Sequence, residues 1–352
     1  MRYDNLNMED IIKEDLDHIL NNTEGLWEEI RDKRIFITGG TGFFGCWLLE
    51  SFICANEKLG LRASATVLTR NLEAFQRKMP HLAFHPAIRF HIGDVKTFQF
   101  TNEEFSCVIH ASNEAADYIG KKDAPEHVKA AIIKAAEHVL NFARDCGARK
   151  FLFTSSGTVY GPQPSGLMHM PETYEGIRDP SIFRFAHGEG KFIAETLCAD
   201  YAEKYGIEAK IARCFAFVGP YMPLGANFAI GNFIGNVLRN EPILVAGDGT
   251  PYRSYLYAAD LAVWLWTILF KGISCRPYNV GSDNEFTVAD IARTVAYYLP
   301  NSEVCISKKA CPGRLAERYV PSVLRAQCEL GLKQNIDLKE AIRRTISWHS
   351  GR

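Results

Sequence analysis

Three glycines at intervals of three residues are the feature of this sequence with the clearest chemical meaning. Residues 39–45 read Gly-Gly-Thr-Gly-Phe-Phe-Gly and lie between an apolar segment at 34–38 and a helical pattern at 44–55. A strand, a glycine turn and a helix in this order suit a dinucleotide pyrophosphate, because glycines allow a tight turn, a close approach to phosphate, and helix–strand packing. The amides at the helix N-terminus complete such a site. The segment therefore predicts a dinucleotide-binding turn.

Two titratable residues, His187 and Lys191, are four positions apart. On a helix this spacing places both side chains on one face. Imidazole titrates near neutral pH and can act as an acid or a base. A neighbouring ammonium lowers the imidazole pKa and favours its neutral form. The pair is therefore a candidate for proton transfer.

The elements that would position these residues alternate between apolar strands and helices. Strands are predicted at 34–38, 63–69, 88–92, 107–110, 150–154 and 208–214, and helices at 44–55, 72–79, 126–146 and 192–205. This alternation favours an α/β fold of the Rossmann type, a doubly wound parallel sheet with helices on both faces. Ligands of such sheets bind outside the carboxyl ends of the strands.

Three regions are predicted along the chain. Residues 1–30 form an amphipathic helical extension that we expect to pack on the main domain, an oligomer contact being the alternative. Residues 31–215 form the dinucleotide-binding domain. Residues 216–352 form a smaller substrate-binding lobe, with helices at 228–239, 260–270 and 288–298, and its segment 278–281 is expected to return to the main sheet.

The composition excludes several classes of protein. The 352 residues carry a formal net charge of −1, so no charge excess favours nucleic acid or an anionic membrane. The longest apolar run, 261–270, is too short to span a bilayer and is expected to be a buried helix. The ten cysteines form no C-x-x-C pair and no Cys/His metal spacing. We expect a cytoplasmic protein without a metal site.

Several motifs in one order resemble a known family. They are the glycine turn, Val-Ile-His-Ala-Ser at 108–112, Phe-Thr-Ser-Ser-Gly-Thr-Val-Tyr-Gly at 153–161, Lys191, Arg-Cys-Phe-Ala-Phe-Val-Gly-Pro at 213–220 and Gly-Asp-Gly-Thr-Pro-Tyr-Arg-Ser-Tyr-Leu-Tyr at 247–257. From about residue 31 onward the chain resembles the extended short-chain dehydrogenase/reductases, in the NAD-dependent epimerase/dehydratase group that acts on nucleotide sugars. The resemblance implies a nicotinamide cofactor, a nucleoside-diphosphate sugar as substrate, and a homodimer.

In that family a Ser or Thr, a Tyr and a Lys four residues later manage proton and hydride transfer. The resemblance places Ser156 and Lys191 in two of these roles, but the tyrosine position holds His187. Imidazole is shorter than a phenol by roughly 2 Å, an offset that can cost about a hundredfold in rate. Three interpretations stay open: His187 is the catalyst, the chemistry is relocated, or the protein only binds its ligand. Tyr160 or Tyr174 could take over the role, although Tyr160, in the Val-Tyr-Gly turn, is more typical of a structural residue.

The residues after Ser156 bear on the type of reaction. Dehydratases of the group typically carry Asp and Glu there, whereas this chain has Gly157 and Thr158. This favours a 4-epimerase or 4-ketoreductase over a dehydratase. Glu172 and Glu175 are nearby in sequence, but glutamates of loops are expected to be solvated.

The resemblance also assigns binding residues. Those for the cofactor are Gly39, Thr41, Gly42, Phe43, Phe44, Gly45, Thr69, Arg70, Asp94, Val95, Ala111 and Lys191. Thr69 and Arg70 stand where NAD-specific sites usually carry an acidic residue, and this favours NADP slightly over NAD. The candidates for the sugar nucleotide are Thr158, Asn227, Arg253 and Arg314, of which Arg253 suits a diphosphate best.

Overall fold

The computed structural model describes residues 7–114, 124–176, 186–225, 228–298, 303–313 and 315–351. The strands are β1 Arg34–Thr38, β2 Ser64–Thr69, β3 Ile88–Ile92, β4 Cys107–His110, β5 Lys150–Ser156, β6 Glu208–Cys214, β7 Phe217–Val218, β8 Ile243–Val245, β9 Tyr252–Arg253, β10 Leu256–Tyr257, β11 Pro277–Val280, β12 Phe286–Thr287, β13 Val304–Ile306 and β14 Arg318–Tyr319. The helices are α1 Met8–Asn22, α2 Phe43–Lys58, α3 Leu72–Lys78, α4 Pro80–Ala83, α5 Ala124–Asp145, α6 Ala186–Tyr205, α7 Ala229–Leu238, α8 Ala258–Lys271, α9 Val288–Ala296, α10 Leu324–Leu330 and α11 Leu338–Ser350.

Seven parallel strands form the central sheet in the order β11-β6-β5-β4-β1-β2-β3. The strand order reverses between β1 and β4, which pair through Thr38 and His110 at their carboxyl ends. Helices on both faces bury the strands, and this explains why the strands are continuous apolar runs in the sequence. The glycine turn, the segment after β4 and the end of β5 therefore meet at one edge of the sheet.

The predicted fold class is confirmed, with two differences in the elements near the site. Strand β5 extends two residues beyond its predicted end, to Ser156. Helix α6 begins at Ala186, six residues before the predicted start, and so includes both His187 and Lys191. The segment around Tyr278 joins the main sheet as β11, beside β6, as predicted.

Helix α8 lies at the centre of the core. Its segment 261–270 is buried throughout, as predicted, and Trp266 stacks with Phe270 at a ring distance of 5.8 Å. A helix that is apolar on every side must be enclosed by protein on every side, and α1, α2, α10 and the strands β5 and β6 enclose this one. In the described ranges no helix combines the length and apolarity that a bilayer span requires.

The N-terminal helix α1 is tied to the C-terminal half by buried polar groups. The Asp15 carboxylate is fully buried and accepts hydrogen bonds from the Tyr257 hydroxyl at 2.6 Å and from Arg344 at 2.5 Å. His18 lies 2.8 Å from the buried Asp260 carboxylate. Burial raises the pKa of Asp15 to about 6. The extension is therefore part of the packed structure.

The C-terminal part forms small sheets of its own. Strand β9 lies between β12 and β14, and β14 is paired so that Tyr319 stands opposite Arg253. This pairing brings residues far apart in sequence to the same place beside the main sheet.

Candidate active site

The glycine turn after β1 packs tightly against neighbouring backbone. Gly39 has a φ of +72°, and a Cβ there would lie 2.4 Å from the carbonyl oxygen of Ala111. A Cβ on Gly45 would lie 2.3 Å from the carbonyl oxygen of Gly39, so only glycine lets α2 pack on the turn. Helix α2 starts at Phe43 after Gly42 without a side-chain cap. Its first amides have no partner within the helix and are suited to bind phosphate.

The predicted adenosine-side residues lie at the carboxyl ends of β2 and β3. Thr69 is buried, and its hydroxyl accepts a hydrogen bond from the Asn71 amide at 3.3 Å, whereas Arg70 is exposed. Asp94 accepts from the Lys96 amide at 2.9 Å and lies 3.5 Å from the Lys96 ammonium. Val95 lies between these two residues. The positions are at the same sheet edge as the glycine turn, as a bound dinucleotide would require.

A hydrogen-bonded chain connects two of the three predicted catalytic residues, Ser156 and His187. The Thr158 hydroxyl lies 2.9 Å from Ser156 Oγ and 3.0 Å from His187 Nδ1. One helical turn further, Lys191 donates a hydrogen bond to the Thr154 carbonyl at 3.1 Å. Thr158, predicted to bind substrate, is thus also the link between Ser156 and the imidazole.

Close backbone packing between α6 and the turn after β5 positions His187 beside Thr158. Residues 157–160 form a 3-10 turn after β5, and α6 crosses it. A Cβ on Gly188 would lie 2.2 Å from the Thr158 carbonyl oxygen, so no larger residue fits between α6 and the turn. The glycine beside the histidine therefore lets the imidazole reach Thr158.

The His187 imidazole is neutral at physiological pH. Burial lowers its pKa to about 4, and the nearby Lys191 ammonium adds to that decrease, whereas the Glu114 carboxylate opposes it. A neutral imidazole has one nitrogen that donates and one that accepts. Since Thr158 occupies Nδ1, the other nitrogen, Nε2, is the one that can meet a substrate.

A buried acidic residue, Glu114, lies beside Lys191 and was not predicted from the sequence. Its side chain is only 2% exposed, and Oε2 lies 3.7 Å from Lys191 Nζ. Its other oxygen, Oε1, accepts a hydrogen bond from Ser112 and lies 3.8 Å from His110 Nε2. The signal in the sequence was a charged residue four positions after the end of a buried strand.

Tyrosine 319 is a second residue of the site that the sequence did not indicate. Its side chain hydrogen-bonds Ser156, and burial raises its pKa well above the ordinary range. A Cβ on Gly157 would lie 2.7 Å from the Tyr319 hydroxyl and from the Phe215 ring. Because β14 pairs with β9, Arg253 stands opposite Tyr319 and so lies toward the site. The Arg253 guanidinium donates a hydrogen bond to the Tyr252 carbonyl at 2.8 Å.

Tyr160 has a structural environment, in line with its predicted role. Its hydroxyl donates to Asn279 at 2.7 Å and accepts from Arg213 at 2.9 Å, and burial raises its pKa to about 12. Arg213 in turn is paired with Glu195 at 2.6 Å. The phenol therefore keeps its proton at neutral pH and uses it in the hydrogen bond to Asn279.

The structure describes Tyr174 and Glu172, two other residues named from the sequence. Tyr174 lines a cavity of about 520 Å³ with Tyr160 and Arg213 and lies 6.5 Å from Tyr160 between ring centres. The expectation that Glu172 is solvated is wrong: its side chain is 4% exposed, because it accepts a hydrogen bond from the Asn279 amide at 2.9 Å. Asn227 and Arg314 lie outside the described residues. The described residues contain no cluster suited to a metal ion.

Comparison with known proteins shows the family to which this chain belongs. UDP-glucuronic acid decarboxylase 3 of Arabidopsis thaliana is 31% identical over 311 residues, which cover 88% of this chain and 86% of that protein. The fold is similar to UDP-glucose 4-epimerase of Thermotoga maritima, solved with UDP-glucose, with a TM-score of 0.72, 20% identity, and coverage of 90% and 98% of the two chains. UDP-glucose 4-epimerase of Thermus thermophilus, solved with NAD, gives a TM-score of 0.70 at 23% identity, with the same coverage. The model of the NAD dependent epimerase/dehydratase family matches residues 35–281. The chain belongs to that family.

Proposed function

We propose that this protein transfers hydride at a sugar carbon, C4, of a nucleoside-diphosphate sugar, as an epimerase or a ketoreductase, with His187 as the acid–base group. The observation that carries the proposal is the 3.0 Å contact between Thr158 Oγ1 and His187 Nδ1, one helical turn from Lys191. Bound NAD(P) would supply the hydride acceptor and donor. Its pyrophosphate would lie on the glycine turn, where the contacts of Gly39 and Gly45 leave no space for a side chain.

The Thr158 hydroxyl supports proton transfer in both directions. When it donates to Ser156 Oγ, its oxygen accepts from Nδ1–H, and Nε2 is then free to accept a proton from a sugar hydroxyl. The imidazolium formed in this way carries a hydrogen on each nitrogen, and Nε2 can return its proton to a ketone oxygen while Nδ1–H stays bonded to Thr158. The same nitrogen thus acts first as base and then as acid, as oxidation followed by reduction requires.

The packing around Gly157 argues against a carboxylate at the first position after Ser156. A Cβ there would collide with both Phe215 and the Tyr319 hydroxyl at 2.7 Å. The second position holds Thr158, whose hydroxyl is already bonded to its neighbours. Elimination of water from the sugar therefore lacks the adjacent acid and base that the resemblance associates with dehydratases.

A second candidate is oxidative decarboxylation of a sugar acid. The observation that favours it is the similarity to UDP-glucuronic acid decarboxylase 3, at 31% identity over most of both chains. This reaction would use the same His187 and Lys191 for oxidation at C4 and differ in the step that follows. Release of carbon dioxide from UDP-glucuronic acid distinguishes it from epimerisation.

The experiment that tests the proposal combines a substrate panel with two variants. Purified protein is incubated with NAD or NADP and with UDP- and dTDP-linked hexoses, their 4-keto derivatives and UDP-glucuronic acid. We expect an epimer or a reduced sugar as product, with NADP the slightly better cofactor because of Arg70. Turnover without added reduced cofactor would indicate an epimerase, and stoichiometric consumption a reductase.

The variants His187→Tyr and His187→Phe decide whether the histidine is catalytic. If it is, both substitutions lower kcat, by about a hundredfold or more for phenylalanine. If His187→Tyr instead creates or greatly raises activity, the histidine is an inactivating substitution, and the protein only binds the sugar nucleotide. Ligand binding measured by calorimetry keeps the two outcomes distinct, since a binding-only protein retains affinity without turnover. Sedimentation of the same samples tests the predicted homodimer.

A further inference from the structure

Lys191 is an ammonium in an almost closed environment. Its side chain is 5% exposed, its Nζ donates to one carbonyl, that of Thr154, and it lies 4.8 Å from the centre of the Phe153 ring. A buried ammonium with so few partners is costly unless an opposite charge is close. Lys191 therefore requires a counter-charge within the candidate active site.

Glu114 is the carboxylate that meets Lys191. Its Oε2 lies 3.7 Å from Nζ and has no hydrogen bond to any residue that the structure describes. Ser112 holds the other oxygen, and this fixes the direction in which Oε2 points. The third titratable group of the cluster, His110, has its pKa lowered to about 4 by burial and so contributes no charge at neutral pH.

We propose that Glu114 is a positioning residue of the candidate active site, whose buried carboxylate acts as the counter-ion that keeps Lys191 charged and in place beside His187. The proposal rests on the function proposed above. The two charges act on the imidazole in opposite senses: Lys191 lowers the pKa of His187 and Glu114 raises it. Glu114 thereby limits how strongly Lys191 suppresses protonation of the imidazole.

The ion pair is tested without any substrate. Burial tends to raise the pKa of Glu114, but the Lys191 ammonium outweighs it, so that the pKa lies below the ordinary value. Lys191→Met removes the largest of the effects that lower this pKa and leaves the hydrogen bond from Ser112 in place, so the Glu114 pKa should rise. Carboxyl carbon NMR of protein labelled in glutamate follows this titration, with the signal assigned by its loss in Glu114→Gln.

A matched control removes a lysine from an exposed pair. Lys129 lies 2.7 Å from Glu189, and both side chains are more than 40% exposed. Lys129→Met should leave the Glu114 titration unchanged. A shift of less than about half a unit in Lys191→Met would overturn the proposal, because the two charges would then not be coupled.

The role in the reaction is tested with the sugar nucleotide identified by the panel. Glu114→Gln should lower kcat about tenfold or more and leave KM within about threefold, since it removes the charge but keeps the shape. Glu114→Asp should restore part of the rate. Glu189→Gln, the same change on the exposed face of α6, should stay within about twofold of the unsubstituted protein.

The outcomes separate this inference from the proposed function. If Glu114→Gln is as active as Glu189→Gln, Glu114 does not serve the reaction and the proposal is wrong. If no sugar nucleotide is turned over by any variant, the proposed function fails, while the Glu114 titration still decides whether the ion pair with Lys191 exists.

Discussion

His187 should remain uncharged throughout the physiological range and take up a proton only near pH 4. Burial is the larger cause of this low pKa, and the Lys191 ammonium is the second. At about 1.4 kcal/mol per pH unit, a decrease from 6.5 to about 4 means that the folded protein disfavours the imidazolium by about 3 kcal/mol. The unfolded chain therefore binds the proton more readily. Stability from this group is complete above pH 6.5 and decreases as the pH falls towards 4.

Histidine-selective NMR measures this directly. The His187 ring signal, assigned by its absence in His187→Phe, should titrate near pH 4. In Lys191→Met the midpoint should move only part of the way to 6.5, because burial remains. If the ring titrates at pH 6 or above in the unsubstituted protein, the imidazole is hydrated and our account of the site is wrong.

Three further predictions concern Thr158, Asp15 and Gly45. Thr158→Val, which removes two hydrogen bonds, should lower kcat by about 10- to 100-fold, whereas Thr158→Ser should keep most activity; equal rates would contradict the chain. Asp15 has a pKa raised to about 6, so its contribution to stability is present below pH 3.8 and is lost as the pH rises through 6. Urea titrations across that pH range should show the unfolding free energy, relative to that of Asp15→Asn, falling by about 3 kcal/mol. Gly45→Ala places a Cβ 2.3 Å from backbone and should abolish dinucleotide binding measured by calorimetry, whereas Gly42→Ala, with 3.3 Å available, should weaken it far less.

Much of the fold could be predicted because the central strands are continuous apolar runs. Strands β1, β3, β4 and β6 have the predicted bounds, and the glycine turn lies where its spacing indicated. The start of α6 was missed because Gly188 and Gly190 weaken the helical pattern. Close packing explains Gly188, since a Cβ there would meet the Thr158 carbonyl.

The candidate site was only partly predictable. Ser156, His187 and Lys191 were recognised from motifs, and they do lie near one another. Glu114 and Tyr319 were not, because their roles depend on contacts with residues 77 and 163 positions away along the chain. Glu172 was misjudged for the same reason, since its partner, the Asn279 amide, belongs to a strand added to the sheet late in the sequence.

The packing of α1 against α11 has a topological consequence. The Met8 side chain lies close to Gly351, where a Cβ on the glycine would be 3.0 Å from Met8 Cγ. The two ends of the described chain thus meet on one surface, although more than 340 residues separate them in sequence. A short linker could join them, and new ends could be opened at an exposed turn such as Gly60, which has open space around it. Residues 8–351 thus begin and end at the same place, and this makes the described part of the fold a candidate for circular permutation.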